Sequence, residues 1–111
     1  MAHVRRHSRY ETRLPVEIES PAKPGRVAVA KNVSQGGLLL GTPSRFAPGQ
    51  RVRVRFRTRK DGPQYELPGT IVRAGRDAHG EWLSRLIAVE FDRSFAERRV
   101  SEIAENYRIW P

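Results

Sequence analysis

The sequence predicts an all-β fold with one C-terminal α-helix, arranged as a small six-stranded antiparallel β-barrel. Short segments in which apolar and polar residues alternate recur along the chain, and glycine and proline separate them. Only in the segment before the C-terminus do the apolar residues recur with the period of an α-helix. Closure into a barrel is expected because it removes strand edges that would invite aggregation. With 111 residues, the chain fits one domain with one core.

The first strand follows a basic segment. Residues 1–12 carry few large apolar side chains, so they are expected to form a flexible basic N-terminal arm, and residues 13–111 a single barrel domain. Beyond the arm, apolar residues alternate strictly with polar ones, which is the period of a half-buried strand. These apolar residues are Leu14, Val16 and Ile18.

A second strand and a tight reversal follow. Residues 21–25 contain two prolines and a glycine, which predicts a turn. Residues 26–33 then predict a strand with three valines on one face, namely Val27, Val29 and Val33. Gly36 and Gly37 interrupt the pattern before the apolar run 38–40, and we expect them to supply the positive φ angles of a hairpin.

Three further strands complete the count of six. In residues 51–57 arginine alternates strictly with an apolar residue, so Val52, Val54 and Phe56 are predicted to face inward. The outward side of this strand carries four arginines, Arg51, Arg53, Arg55 and Arg57. Residues 65–74 and 83–91 contain the last two predicted strands.

The C-terminal segment has the period of an amphipathic helix, expected at about residues 94–108. Its apolar face consists of Val100, Ile103, Ala104 and Tyr107. Ser94 and Glu97 have the spacing of a capping box at the start of a helix. The helix is therefore predicted to pack against one opening of the barrel.

Composition restricts the possible functions. Hydrophobic residues make up 38% of the chain and charged residues 30%, which is typical of a soluble globular domain. The sequence has no membrane span and no apolar signal-peptide core, so we expect a cytoplasmic protein. The absence of cysteine excludes disulfides and thiolate metal sites. The net charge of +9, mostly from arginine, predicts a phosphate-bearing partner, because guanidinium matches phosphate and guanine edges.

We expect neither an enzyme nor a metal protein. The three histidines, His3, His7 and His79, fall in the arm or in a predicted loop. No carboxylate pair or nucleophile has a recognisable catalytic spacing around them. His3 and His7 are four residues apart, but they have no third ligand nearby. No catalytic residue and no cofactor is therefore predicted.

Two short motifs carry the chemistry. Arg5 and Arg9 form an Arg-x-x-x-Arg motif in the arm. Asn32, Ser34 and Gly37 form an Asn-x-Ser-x-x-Gly motif at the end of a predicted strand. Each motif alone also fits a structural role, since basic tails are common on surfaces and Asn and Ser stabilise turns.

In this order, followed by a strand meander and a terminal helix, the motifs resemble the PilZ domain, a family of bacterial receptors for cyclic di-GMP. The resemblance covers nearly the whole chain. It implies that Arg5 and Arg9 grip the phosphates and guanines of the ligand, while Asn32, Ser34 and Gly37 hold a guanine from the opposite side. The chain departs from the commonest family pattern with Asn32 in place of Asp and Ala88 in place of Gly.

The resemblance also implies a signalling step. The arm would become ordered when cyclic di-GMP binds, and a downstream protein, not identified by the sequence, would detect this change. Arg6 and Gly36 lie beside the two motifs and are further candidate ligand contacts. The sequence leaves open whether the protein is a monomer or a dimer and whether it binds one ligand molecule or a stacked pair.

Two other functions remain possible on the sequence. A small basic barrel can bind nucleic acid, and the outward arginines of residues 51–57 suit that function. No cluster of exposed aromatic residues for base stacking is visible, however. The chain can also be a PilZ-like protein-interaction module that binds no ligand, although it retains both motifs.

Overall fold

The computed structural model describes residues 8–76 and 85–108 and forms a closed barrel. Its strands are β1 (Tyr10–Ser20), β2 (Lys23–Ser34), β3 (Gly37–Thr42), β4 (Arg51–Arg57), β5 (Gln64–Arg76) and β6 (Arg85–Phe91), and they precede one helix, α1 (Glu97–Asn106). Every neighbouring pair is antiparallel, in the order β1-β2-β3-β6-β5-β4 around the barrel. The predicted six-stranded antiparallel barrel with a C-terminal helix is confirmed.

The inward faces of the strands form one core. The predicted inward residues of the first and fourth strands are buried: Leu14, Val16, Ile18, Val52, Val54 and Phe56. Phe95 packs edge-on against Phe56 and Tyr65, with ring centroids 5.6 and 5.2 Å apart. Helix α1 adds the buried side chains of Val100 and Ile103 to this cluster. Within the described ranges, no helix has the length and apolarity that crossing a bilayer requires.

Strand β1 begins earlier than the predicted boundary between arm and barrel. It starts at Tyr10, inside the segment 1–12 that was predicted to be the arm. Thr12 is fully buried, and its hydroxyl donates to the carbonyl of Tyr107 at 2.9 Å. The backbone N–H of Arg13 donates to the same carbonyl at 3.0 Å. These two bonds tie the start of the barrel to the end of α1.

Helix α1 is shorter than predicted and lacks the predicted capping box. Its N-cap is Ala96, which has an extended conformation and no side-chain capping bond. The prediction that Ser94 caps the helix is therefore wrong. The reason is Phe95, whose N–H donates to the carbonyl of Gln35 at 2.8 Å while its ring enters the core. This anchor keeps the chain extended until the residue before Glu97.

A bulge in β2 changes which residues face the core. The pairing of β2 with β3 shifts by one residue between Ala30 and Asn32. Ala28 and Ala30 are buried before the shift and Val33 after it, whereas Val27 is 62% exposed. The prediction that Val27, Val29 and Val33 share one face is therefore wrong. A one-residue bulge reverses the alternation, and the valine pattern does not reveal it.

The turn between β2 and β3 does not use positive φ angles. Among the described glycines only Gly49 has one, at 88°, so the prediction for Gly36 and Gly37 is wrong. Gly37 is required for a different reason. A Cβ atom there would overlap the carbonyl oxygen of Val89 on the neighbouring strand. Glycine therefore allows β3 and β6 to approach closely at this point.

Replacing Val54 with aspartate is expected to unfold the protein. Val54 is fully buried in the middle of β4, so the substitution would place an unpaired carboxylate in the core. We expect a loss of more than about 4 kcal/mol in the free energy of unfolding, measured by urea denaturation. Val27→Asp, at an exposed valine, is the matched control and should cost less than about 1 kcal/mol. Equal losses in the two variants would contradict the assignment of the inward face.

Candidate functional site

The structure brings most of the predicted site residues to one surface groove. The groove has a volume of about 570 Å³ and crosses the outer faces of β2, β3, β6 and β5. Five predicted residues line it, namely Arg9, Asn32, Ser34, Gly36 and Gly37. The two remaining candidates, Arg5 and Arg6, lie outside the described residues. Contact of any of the seven with a ligand remains a prediction.

The turn that borders the groove is held rigidly. The hydroxyl of Ser34 accepts a hydrogen bond from the N–H of Gly36 at 3.2 Å, so Ser34 stabilises the turn itself. The N–H of Phe91 donates to the Gly36 carbonyl at 2.9 Å. The side-chain amide of Gln35 donates to the Phe95 carbonyl at 3.2 Å. The turn is therefore fixed both to β6 and to the segment that leads into α1.

One row of paired residues forms the floor of the groove. Asn32 pairs with Leu39, Leu39 with Ala88, and Ala88 with Arg73. Neighbouring strands are about 4.8 Å apart, so the two ends of the row are separated by about 14 Å of backbone. Asn32 and Arg73 thus face each other across a floor of two partly buried apolar side chains. The floor is apolar and its two ends are polar.

Arg73 and Val72 are groove residues that the sequence analysis did not identify. The pairing of β5 with β6 shifts by one residue between Ile71 and Arg73, which marks a bulge in β5. As a result, Val72 and Arg73 are both exposed although they are consecutive in a strand. Simple alternation places only one of them on the outer face. The sequence contains no signal that locates this bulge.

Acidic side chains form another border of the groove and were also missed. Glu90 and Asp92 both line it. The guanidinium of Arg51 donates two hydrogen bonds to the Asp92 carboxylate, each 2.6 Å long. These bonds, with the positive charge of Arg51, lower the pKa of Asp92 below its ordinary value. Asp92 is therefore ionised at neutral pH and already paired.

The outward arginines of β4 are all engaged with neighbours. Arg51 bonds to Asp92, Arg53 to Glu66, Arg55 to Glu17, Glu19 and Glu66, and Arg57 to the carbonyl of Gly62. The hydrogen bond from Arg53 is the main reason that the pKa of Glu66 lies below its ordinary value. Carboxylates therefore neutralise much of the positive charge on the outer face of β4. The sequence shows the arginines of this strand but not the carboxylates that lie beside them.

The N-terminal side of the groove is connected to the helix. Arg9 lies immediately before β1, and Tyr10 partly packs against the core. The hydroxyl of Tyr10 donates a long hydrogen bond of 3.4 Å to Glu97, the first residue of α1. Together with the bonds from β1 to Tyr107, this contact places both ends of α1 next to the strand that follows Arg9.

Solved structures with a similar fold include two PilZ domains. The PilZ domain of YcgR from Escherichia coli, solved with c-di-GMP, has a TM-score of 0.66 and 15% identity, over 93% of this chain and 90% of that one. The PilZ domain of CeSA from a cellulose-synthesizing bacterium has a TM-score of 0.56 and 21% identity, over 86% and 90% of the two chains. At these identities the likeness establishes the fold alone.

A longer protein also contains a similar unit. The Bacillus subtilis inhibitor of motility, MotI/DgrA, has a TM-score of 0.70 and 19% identity over 94% of this chain. The present chain spans only half of that protein's length. A search of curated proteins finds no sequence match.

The sequence itself matches a family model over almost its full length. The matching model is the PilZ domain, and the match extends over residues 3–105. This range includes both motifs, all six strands and nearly all of α1. The chain therefore belongs to the PilZ domain family.

Proposed function

We propose that this protein is a cyclic di-GMP receptor that binds the nucleotide in the groove described above and reports its level to a protein partner. One observation carries the proposal: residues from both motifs, Arg9 in the first and Asn32, Ser34 and Gly37 in the second, line a single groove. The solved YcgR PilZ domain with c-di-GMP supports the choice of ligand through its shared fold. The role is regulatory and not catalytic.

The groove residues have the chemistry that such a ligand needs. Cyclic di-GMP presents two guanines and two phosphates, and a guanidinium can bond bidentately to guanine O6 and N7 or to a phosphate. Arg9 is suited to this role. Asn32 offers an acceptor and a donor to a guanine edge. Asn32 lies in β2, which pairs with β1 and β3 at this residue, so its backbone is fixed before binding and little further ordering of this side is required.

Arg73 extends the proposed site on the opposite side of the floor. Leu39 and Ala88 present an apolar surface of the kind on which a base lies flat. Arg73 stands at the end of the row and forms no ion pair with any residue between 8 and 76 or between 85 and 108. A planar guanidinium in that position can stack on a base or bind a phosphate.

Signal transmission is the second part of the proposal. Arg5 and Arg6 would join the ligand from the arm, and ordering of the arm on binding would be the change that a partner detects. The contacts from β1 to Glu97 and Tyr107 support this route, because they connect the residues after Arg9 to α1. We further propose that the protein acts in the cytoplasm and needs no cofactor beyond the nucleotide.

Nucleic-acid binding is the weaker alternative. The net charge of +9 favours it. Its natural surface is the arginine row of β4, but three of these four arginines form ion pairs with Asp92, Glu66 and the two glutamates of β1. A PilZ module that binds no ligand is the other alternative, and the shared groove of motif residues argues against it.

Cyclic di-GMP is expected to bind with a dissociation constant of about 1 μM or lower, corresponding to about 8 kcal/mol. Isothermal titration calorimetry measures this directly. Cyclic di-AMP and GTP should bind at least about 100-fold more weakly, because adenine lacks the guanine acceptor pattern and GTP lacks the second guanine. Absence of heat with cyclic di-GMP would contradict the proposed ligand.

Arg9→Ala is expected to weaken cyclic di-GMP binding by at least about tenfold, since a hydrogen bond to a charged group contributes about 1.5–3 kcal/mol. The melting temperature should stay nearly unchanged because Arg9 is exposed and precedes β1. Arg26→Ala is the matched control, because Arg26 is an exposed arginine of β2 that does not line the groove. Equal affinities of the two variants would show that loss of charge, and not the position of Arg9, matters.

Binding to DNA or RNA is expected to be weak and nonspecific. A gel shift at low salt should show at most a complex that disappears near physiological salt, because phosphate contacts alone lose affinity steeply as salt rises. The substitution Arg53→Gln in the β4 row should leave this behaviour unchanged. A salt-resistant complex that this substitution abolishes would favour the nucleic-acid alternative instead.

A further inference from the structure

Strand β5 extends beyond the end of β4, the strand that pairs with one of its two edges. It has 13 residues, whereas β4 has 7 and pairs only with residues 64–70. Ile71 makes the last backbone bonds on that side, donating to Gln50 at 2.9 Å and accepting from Gly49 at 2.7 Å. In the described part of the chain, residues 72–76 pair with β6 alone. Among the described residues, the sheet therefore has an open strand edge from Val72 to Arg76.

The direction of the backbone groups on this edge follows from the pairing pattern. The N–H of Phe91 donates to the carbonyl of Gly36, which precedes β3, so this N–H points to the β3 side of β6. Backbone groups alternate between the two sides of an antiparallel strand, so Ala88 directs its groups toward β5, where it pairs with Arg73. The neighbouring alternate residues, Ala74 and Arg76, then direct their N–H and C=O groups toward the open edge.

The open edge is accessible. All five residues from 72 to 76 are exposed, so no described part of the protein covers them. Val72 is 45% exposed and is one of two large apolar side chains with such exposure among the described residues. Unpaired strand edges readily accept another strand, and folded proteins usually cover or shorten them.

The two paired strand segments at this edge carry only positive charges. Arg73, Arg76 and Arg85 lie on the paired segments 72–76 and 85–88, which contain no aspartate or glutamate. No ion pair joins the three arginines to any residue that the structure describes. Three of the four arginines of β4, by contrast, are paired with carboxylates, namely Arg51, Arg53 and Arg55. The region therefore attracts an acidic binding partner.

We propose that the β5 edge from Val72 to Arg76 is a docking site for an extended acidic segment of a partner protein, which binds by adding a strand beside β5. The backbone groups of Ala74 and Arg76 supply the hydrogen bonds, and the three arginines select for carboxylates. Val72 and Arg73 also line the groove, so an occupied groove is expected to change the affinity for the segment. This coupling rests on the proposed function, but docking alone does not.

The test uses the full chain, labelled with nitrogen-15, and a synthetic peptide of alternating glutamate and valine with blocked ends. Without nucleotide, we expect the peptide to shift the amide signals of residues 72–76 and to slow hydrogen exchange at Ala74 and Arg76. A second peptide with the same sequence but N-methylated on every residue keeps the charges and has no backbone N–H on either edge with which to pair as a strand. It should bind at least about tenfold more weakly, because each lost backbone bond contributes about 0.5–1.5 kcal/mol.

A pair of variants at one position provides the control on the protein side. Ala74→Pro removes the N–H that faces the open edge but no bond to β6, so it should weaken peptide binding at least about tenfold while the fold persists. Ala74→Val keeps the N–H and should bind within about twofold of the original chain. Equal binding of both peptides, or a response to oligothymidine but not to either peptide, would overturn the proposal. Failure of cyclic di-GMP to alter peptide affinity would overturn only the coupling.

Discussion

The close approach of Gly37 to the carbonyl of Val89 is the constraint on which the candidate site depends. Because Gly37 has no Cβ, the turn between β2 and β3 can lie directly against β6. The bond from Phe91 to the Gly36 carbonyl then fixes the turn in that position. Asn32 and Ser34 consequently border the same groove as residues from β6 and β5, which are far away in sequence. The absence of a side chain at one glycine thus positions the candidate site.

The strand meander and the core could be predicted from the sequence because alternation reports burial directly wherever a strand is regular. Leu14 to Ile18 and Val52 to Phe56 are regular in this sense, and their inward residues are buried as predicted. Prediction failed at bulges. The irregularity after Ala30 reversed the inward face of β2, and the one after Ile71 exposed Val72 and Arg73 together. Such shifts arise from contacts between strands, which a single sequence does not show.

The candidate site shows the same division between local and tertiary information. The motif spacing was sufficient to select Arg9, Asn32, Ser34 and Gly37, and the fold brings all four to one groove. Arg73, Glu90 and Asp92 belong to no recognisable motif, so only the strand order could reveal them. The helix start was also decided by tertiary contacts, because the anchoring of Phe95 in the core prevents the capping that the local sequence favours.

Charge follows the architecture more closely than the composition suggests. The net charge of +9 is spread over arginines in different electrostatic settings. On β4, Arg51, Arg53 and Arg55 lie opposite carboxylates and contribute to a network of surface ion pairs. On the outer part of β5, Arg73 and Arg76 form no ion pair with any described residue. Carboxylates therefore compensate the charge of most β4 arginines, whereas Arg73 and Arg76 have no such compensation among the described residues.

The central claim is that cyclic di-GMP occupies the groove between the β2–β3 turn and β5. The most direct measurement is a nuclear magnetic resonance titration of the labelled chain with cyclic di-GMP, in which intermolecular contacts to the guanine protons are recorded. The account predicts contacts from Asn32, Leu39 and Arg73, with the signals of the β4 face unchanged. Contacts confined to Arg53 and Arg55, or a bound nucleotide with none to the groove, would contradict it.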